Sequence, residues 1–194
     1  MAKTSKMTDI TDSTQHNETK GNVTRPFNFM KWIDENRSLL KPPVNNKVVY
    51  KDAEFIIMVV GGPNSRKDYH YNESEEFFYQ LEGDIIVQIQ EDGKAVKVPI
   101  KQGEIFLLPP KVPHNPMRGP NTIGLVIERK RHATEKDGLM WFCEKCNHKL
   151  YDEYFMLVNI ATQFQEVFGK FYTNRDLLTC KSCGYVMEPP PVIK

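Results

Sequence analysis

Residues 76–108 read EFFYQLEGDIIVQIQEDGKAVKVPIKQGEIFLL. This stretch contains four runs of β-branched and aromatic residues, at 77–81, 85–89, 95–100 and 105–108. A short turn sequence with one glycine separates each run from the next, which predicts antiparallel strands. Similar runs lie outside the stretch, at 48–50, 55–60 and 122–129. Many short strands at a spacing of about 8–12 residues are typical of a β-sandwich or β-barrel, so we predict a fold dominated by β-structure.

The composition indicates a soluble core and excludes several classes of partner. Of the 194 residues, 40% are hydrophobic and 26% are charged, as in ordinary globular domains. The net charge of +1 gives no excess of basic residues for binding nucleic acid. The sequence also contains no basic amphipathic helix of the kind that binds a lipid surface. No apolar run reaches the length of a membrane span, and the N-terminus lacks the apolar stretch of a secretory signal. We expect a cytoplasmic protein that binds neither nucleic acid nor membranes.

Changes in composition divide the chain into three predicted segments. Residues 1–22 are polar and nearly free of large apolar groups, which predicts a disordered tail. Residues 23–138 begin with a helix, because the apolar residues between 29 and 40 follow helical spacing up to a pair of prolines, and continue with the strands. Residues 139–194 form a small appendage with two cysteine pairs, a mainly helical stretch at 152–172 and a Pro-rich tail.

A candidate metal site combines His70, Glu76 and His114. Two neutral imidazoles and one carboxylate can hold a divalent ion on one face and leave the other face open, as in non-haem Fe(II) oxygenases. Because residues of an extended strand alternate between faces, Glu76 shares the face of His70, whereas Glu73 and Glu75 do not. The alternative is that His70 and Glu76 are surface residues of a hairpin, and their spacing alone favours that alternative.

A second candidate metal site consists of two Cys-x-x-Cys pairs with 33 residues between them, formed by Cys143, Cys146, Cys180 and Cys183. Four thiolates can enclose one iron or zinc ion and leave no coordination position for a substrate, so we predict a structural site. An appendage with little core of its own would be stabilised by such an ion. Four free cysteines, or two disulfides in an oxidising compartment, are the alternatives.

Two blocks of the sequence resemble the paired metal motifs of the cupin superfamily, which forms a small antiparallel β-barrel, or jelly roll. They read His70-x-Asn72-x3-Glu76-x6-Gly83 and Gly103-x5-Pro109-x4-His114. Cupins usually have a second histidine where this chain has Asn72, which leaves three ligands instead of four. Between 27 and 183, the order and spacing of six motifs resemble the 3-hydroxyanthranilate 3,4-dioxygenase family. These motifs are KPPVNN (41–46), GGPNSRKDYH (61–70), EEFFYQ (75–80), LLPP (107–110), HNPMR (114–118) and VIER (126–129).

This resemblance implies an activity, in which 3-hydroxyanthranilate and O2 give 2-amino-3-carboxymuconate semialdehyde on the kynurenine pathway to quinolinate and NAD. It implies Fe(II) at the His/Glu/His trio, and iron suits O2 because zinc has no redox chemistry. It also implies a rubredoxin-like four-cysteine site, as in microbial members of the family. The implied substrate-binding residues are Asn46, Arg66, Glu76, Arg118 and Glu128.

Three of these residues have more specific expected roles. Arg118 would pair with the substrate carboxylate, because a guanidinium provides two parallel hydrogen bonds and a permanent charge. Arg66 and Glu128 are the candidate catalytic residues. Arg66 would steady negative charge on the oxygen side, and Glu128 would orient Arg118 or accept a hydrogen bond from the substrate amine.

Oligomeric state and substrate are less constrained. Bulky apolar residues on strand faces, with Trp141 and Phe142 beside the first cysteine pair, suggest a homodimer, and the alternative is intrachain packing. On the predicted strand 122–129, the face of Glu128 carries small residues, which either leave room for a substrate ring or reflect packing on both faces. Two other functions stay open. One is a cupin dioxygenase acting on another aminophenol, a catechol or a thiol, and the other is a non-catalytic cupin that binds a small molecule.

Overall fold

The structure is a computed structural model that describes residues 23–42, 44–51, 53–158 and 160–191, with backbone only at 160–162. The predicted tail at 1–22 lies outside the described residues. The chain divides into two compact units, Met1–Glu35 and Asn36–Lys194. None of the helices among the described residues combines the length and the apolar character that a membrane crossing needs.

The predicted N-terminal helix is present and stops before the prolines. Helix α1 (Phe29–Asn36) is capped at its start by Asn28, whose side chain accepts from the Lys31 amide at 2.9 Å. A 3-10 helix, Arg37–Leu40, follows directly. Within the N-terminal unit, the rings of Phe29 and Trp32 stack with centroids 6.3 Å apart.

The described part of the larger unit contains eleven strands. They are β1 (Asn46–Val48), β2 (Phe55–Gly61), β3 (Tyr69–Tyr71), β4 (Glu76–Glu82), β5 (Ile85–Glu91), β6 (Lys94–Ile100), β7 (Ile105–Leu108), β8 (His114–Arg118), β9 (Ile123–Arg129), β10 (Asp137–Phe142) and β11 (Lys149–Phe155). They form a five-stranded sheet in the order β1-β2-β9-β4-β7 and a six-stranded sheet in the order β11-β10-β3-β8-β5-β6, and every pairing is antiparallel. The hydrogen bonds therefore form two sheets, compatible with a cupin jelly roll, rather than one closed ring.

The quoted stretch contributes strands to both sheets. The turn between β5 and β6 places Asp92 and Gly93 at φ of 48° and 74°, the conformation that favours Asp-Gly in two-residue hairpins. The inward faces of the two sheets enclose one apolar core, which consists of Phe78, Ile85, Val87, Ile89, Ile100, Leu108 and Val126. This confirms the prediction of a fold dominated by antiparallel β-structure.

The C-terminal region differs from the prediction in one respect. Residues 152–155, expected to be helical, belong to β11, because the whole of β10 pairs with β11 and long-range pairing overrides local preference. The helices follow as α2 (Ile160–Tyr172) and α3 (Arg175–Leu178). Trp141 is fully buried and stacks on Phe171 at 4.3 Å, and Phe142 packs edge-on against Tyr69. These two side chains therefore make intrachain contacts, and neither supports the dimer hypothesis.

Candidate metal centre and anion site

Three strands bring His70, Glu76 and His114 together. His70 is the middle residue of β3, and Glu76 and His114 begin β4 and β8. His70 lies opposite His114 in the six-stranded sheet, and Glu76 approaches from the five-stranded sheet. All three side chains are buried, and one donor atom from each lies within 4.8 Å of the others. The fold therefore assembles the trio between the two sheets.

The single extended strand expected to carry both His70 and Glu76 is interrupted, because β3 ends at Tyr71 and β4 begins at Glu76 in the other sheet, but burial still separates Glu76 from its acidic neighbours. Glu76 is buried, Glu73 is half-buried and Glu75 is exposed. Asn72, which stands where cupins usually have a histidine, is also buried and donates to Glu128 Oε2 at 3.1 Å. The alternative of a surface hairpin is therefore wrong for His70 and Glu76.

The electrostatics of Glu76 and His114 suit a cation. Burial would raise the pKa of Glu76, but His114, His70 and Arg131 together lower it to about 2. Burial lowers the pKa of His114, but the Glu76 carboxylate outweighs this effect and raises it. Glu76 Oε2 and His114 Nε2 are 3.0 Å apart. Two ligands at right angles on one ion, with bonds of about 2.1 Å, lie about 3.0 Å apart, so this pair fits a metal ion.

Arg118 is a buried cation without a carboxylate partner. It ends β8, four residues after His114, and is 4% exposed. No carboxylate among the described residues forms an ion pair with it, and Nη1 donates only a long hydrogen bond of 3.4 Å to Gln80 Oε1. Burial lowers the pKa of Arg118 to about 10, although the charge of Glu76 partly opposes the change. At neutral pH the guanidinium stays charged, so the site can accept an anion.

The packing around Gly124 explains why a small residue stands at this position on the inner face of β9. A Cβ at this position would lie 2.7 Å from Gln80 Oε1 and 2.9 Å from Arg118 Nη1, closer than ordinary van der Waals contact. The space beside Gly124 is therefore filled by the guanidinium and its amide partner. Thr122 and Val126 on the same face are also buried. Packing, rather than empty room for a ring, accounts for the small residue at Gly124.

Arg66 differs from Arg118 because it is partly exposed and already paired. Its guanidinium forms two hydrogen bonds with the buried carboxylate of Asp68. It also lies 5.7 Å and 5.9 Å from the ring centroids of Phe164 and Phe168 on α2. Phe164 lies against His70 as well, with ring centroids 5.6 Å apart. Helix α2 thus contacts both His70, an expected metal ligand, and Arg66, an expected pocket residue. Nothing in the sequence indicated these contacts.

The structure places Glu128 near the trio and Asn46 at the surface. Glu128 is buried and lies opposite Glu76 in the pairing of β4 with β9. Its described partners are Asn72 and Arg131 rather than Arg118. Asn46 is exposed at the start of β1 and donates to the Val44 carbonyl at 3.2 Å.

Two charged residues beside the trio, Asp137 and Arg131, are not indicated by the sequence. Asp137 is fully buried and its Oδ2 lies 2.6 Å from His70 Nε2. Burial would raise the pKa of Asp137, but hydrogen bonds from His70 and Arg131 lower it. Arg131 stands in the run Arg129–His132, and such charged runs are usually solvated. Only the fold shows that its side chain is 8% exposed.

The four cysteines form two matching knuckles. The Cys143 amide donates to the His148 carbonyl and the Cys180 amide to the Tyr185 carbonyl, each at 2.8 Å. The sulfur pairs Cys143–Cys183 and Cys146–Cys180 are 3.6 Å and 3.5 Å apart, and all four sulfurs lie within 4.8 Å. Four sulfurs at about 2.3 Å from a tetrahedral ion are about 3.8 Å apart. The cysteines are free thiols, so the donor set fits one ion and the disulfide alternative is wrong.

Comparisons with known proteins agree with the motifs. The 3-hydroxyanthranilic acid dioxygenase family matches residues 22–172. A 3-hydroxyanthranilate 3,4-dioxygenase of Xanthomonas euvesicatoria is 55% identical over 85% of this chain and 93% of its own length. Another from Bacillus cereus is 50% identical over 83% of this chain and 90% of its own. Among solved structures, a cupin-2 domain protein of Shewanella frigidimarina aligns with a TM-score of 0.43 and 17% identity, over 50% of this chain and 92% of that one.

Proposed function

Because the chain belongs to the 3-hydroxyanthranilic acid dioxygenase family, we propose that it converts 3-hydroxyanthranilate and O2 to 2-amino-3-carboxymuconate semialdehyde. The observation that carries the proposal is the unpaired guanidinium of Arg118, buried four residues from His114 on the same strand. Residues four apart on a strand share a face. A carboxylated ring held at the trio would therefore bring its anion to Arg118, which binds carboxylates with two parallel hydrogen bonds.

Each side chain has a separate role in this proposal. Arg118 binds the carboxylate and fixes the orientation of the ring. Glu128, opposite Glu76, accepts a hydrogen bond from the substrate amine or hydroxyl group. Arg66 lowers the free energy of negative charge that develops on the oxygen side. Asn46 remains a proposed substrate contact on the basis of the family motif alone.

His70, Glu76 and His114 would hold Fe(II). A bound Fe(II) would supply the redox chemistry that allows O2 to react with an aromatic ring, which zinc cannot supply. The four thiolates of residues 143–183 would hold iron or zinc in a structural role, within the appendage proposed at 139–194. A thiolate site of this kind suits a reducing compartment, so we also propose a cytoplasmic location.

A substrate series tests the proposal. Purified protein reconstituted with Fe(II) is mixed in air with 3-hydroxyanthranilate, 2-aminophenol or catechol, and O2 uptake and the absorbance of the ring-opened product are recorded. We expect turnover of 3-hydroxyanthranilate and a kcat/KM about 10–100-fold lower without the carboxylate, since a charged hydrogen-bonded contact contributes about 1.5–3 kcal/mol. Equal turnover of all three compounds would favour a dioxygenase with another substrate. No turnover of any of them would favour a non-catalytic cupin.

We also propose a homodimer, formed through the outer face of the five-stranded sheet. The pairing registers align Ile57, Ile127, Phe77 and Leu107 in one row across four strands, and Leu125, Tyr79 and Ile105 in the next, whose fourth member Val59 is already fully buried within the chain. At the edge strand β7, Ile105 is 66% exposed and Leu107 is 52% exposed. Apolar patches of this kind are typical of homodimer interfaces, which are more apolar than the rest of a protein surface.

Light scattering coupled to size-exclusion chromatography tests the dimer. The wild type should elute with twice the chain mass of 22.5 kDa, and Leu107→Lys should shift it to the monomer. Val158→Lys is the matched control, because Val158 is exposed and lies outside both sheets. A monomeric wild type, or a Leu107→Lys variant that stays dimeric, would contradict the proposed interface.

A further inference from the structure

Between the end of β9 and the start of β10, two arginines that are two positions apart form bidentate ion pairs with acidic residues six positions later. Arg129 Nη2 lies 2.6 Å from Glu135 Oε1, and Arg131 Nη2 lies 2.6 Å from Asp137 Oδ2. The second pair is more deeply buried, since both of its side chains are at most 8% exposed. Burying an ion pair costs desolvation free energy, and apolar replacements of similar size are often as stable or more stable. A requirement other than stability therefore has to account for the second pair.

The buried pair connects to two sides of the metal centre. Asp137 Oδ2 accepts from Arg131 and also lies 2.6 Å from His70 Nε2. Arg131 Nη1 lies 2.9 Å from Glu128 Oε2. One guanidinium thus bridges the carboxylate that holds His70 and the carboxylate that lies opposite Glu76. The half-buried Arg129–Glu135 pair has the same sequence spacing and no contact with the trio in the described structure.

Charge in this cluster also points to a divalent cation. Metal binding requires neutral imidazoles. The remaining buried charged groups linked by contacts are the carboxylates of Glu76, Glu128 and Asp137 and the guanidinium of Arg131. In this contact network three carboxylates share one guanidinium, an excess of negative charge that suits a cation.

We propose that Asp137 and Arg131 are positioning residues for the metal centre. Asp137 accepts the hydrogen bond of one ring nitrogen of His70, which fixes the tautomer and the ring orientation in which the other nitrogen faces the ion. Arg131 holds Asp137 in place and fixes Glu128 on the opposite side. Outer partners of this kind typically contribute about 10–100-fold to metal affinity. This inference rests on the proposed function, because it takes the trio as the Fe(II) site.

Fe(II) competition measures the proposed role without relying on turnover. Anaerobic holoenzyme is titrated with an Fe(II) chelator, and the Fe(II) removed per chain gives the affinity of the accessible site. Asp137→Asn should weaken that affinity by about 10–100-fold. At saturating Fe(II), its KM for 3-hydroxyanthranilate should stay near the wild-type value, because Asp137 does not touch the substrate. Glu135→Gln is the matched control and should change the affinity by less than about twofold, because the Arg129–Glu135 pair does not contact the trio.

Arg131→Lys keeps the charge but removes the planar fork that reaches two carboxylates, and it serves as the second variant if Asp137→Asn does not fold. It should weaken Fe(II) affinity and also raise KM, because a lysine that pairs with Asp137 leaves Glu128 with Asn72 as its remaining partner. Wild-type Fe(II) affinity in either folded variant would overturn the inference. Absence of turnover in the wild type would instead overturn the proposed function, so the two failures are distinguishable.

Discussion

The two candidate metal sites of this chain are built in opposite ways. The His/Glu/His trio takes its donors from three strands in two sheets, and all of them are buried. The four cysteines come from two local knuckles, and two of them are exposed. Three donors leave coordination positions open for a substrate, whereas four thiolates leave none. In this chain, the open site is therefore assembled from distant strands, and the closed site is assembled from short local motifs.

The largest effect on activity is expected from removing one donor of the open site. His114→Ala should reduce ring cleavage to below about 1% of wild type, because loss of even an outer partner of a metal ligand costs about 10–100-fold. Metal analysis should show one ion lost and the cysteine-bound ion retained. A variant with normal metal content and normal O2 uptake would remove His114 from the catalytic site.

Arg118→Met separates binding from stability. We expect kcat/KM to fall by roughly 100-fold, since a hydrogen bond to a charged group contributes about 1.5–3 kcal/mol. The Tm should stay level or rise, because the variant removes a buried cation that has no carboxylate partner. Arg129→Met, at a half-buried ion pair without contact to the trio, is the control and should keep its activity. A Tm lower by many degrees would indicate that Arg118 stabilises the fold instead.

Gly124→Ala tests the space beside Arg118 with a single methyl group. The added Cβ would meet Gln80 Oε1 and Arg118 Nη1 at 2.7 Å and 2.9 Å, so the guanidinium has to move. We expect kcat/KM to fall by roughly tenfold, less than the approximately 100-fold that a 1 Å misplacement can cost. Gly119→Ala is the matched control, because a Cβ at that position meets nothing within 4 Å. Equal kinetics for the two variants would exclude a positional requirement on Arg118.

Cys143→Ser should have the smallest effect on activity. It removes one thiolate from the closed site, so metal content should fall by one ion per chain and the Tm should fall with it. At temperatures below the new Tm, the rate of ring cleavage should fall by less than about tenfold. This loss is smaller than the one expected when an outer partner of a catalytic metal ligand is removed. Complete loss of activity in a folded variant would show that the cysteine site takes part in catalysis.

The sequence predicted what depends on local periodicity and spacing. Alternation of more and less buried residues distinguished Glu76 from Glu75, although the expected single strand is broken between β3 and β4, and glycine-containing turns separated the strands from β4 to β7. Strand β11 was missed at 152–155, because its pairing with β10 is not encoded in its own residues. Arg131 was missed for a similar reason. A run of charged residues is typical of a solvent-exposed segment. Only the fold shows that Arg131 is buried between Glu128 and Asp137.

The central claim is that Arg118 is the carboxylate-binding group of an open metal site. Anaerobic binding of 3-hydroxyanthranilate and 2-aminophenol to wild type and to Arg118→Met tests it most directly. In the wild type, the carboxylate should tighten Kd by about 10–100-fold, the equivalent of about 1.5–3 kcal/mol. In Arg118→Met, both ligands should bind with nearly equal affinity. A variant that still prefers 3-hydroxyanthranilate as strongly as the wild type would contradict the account.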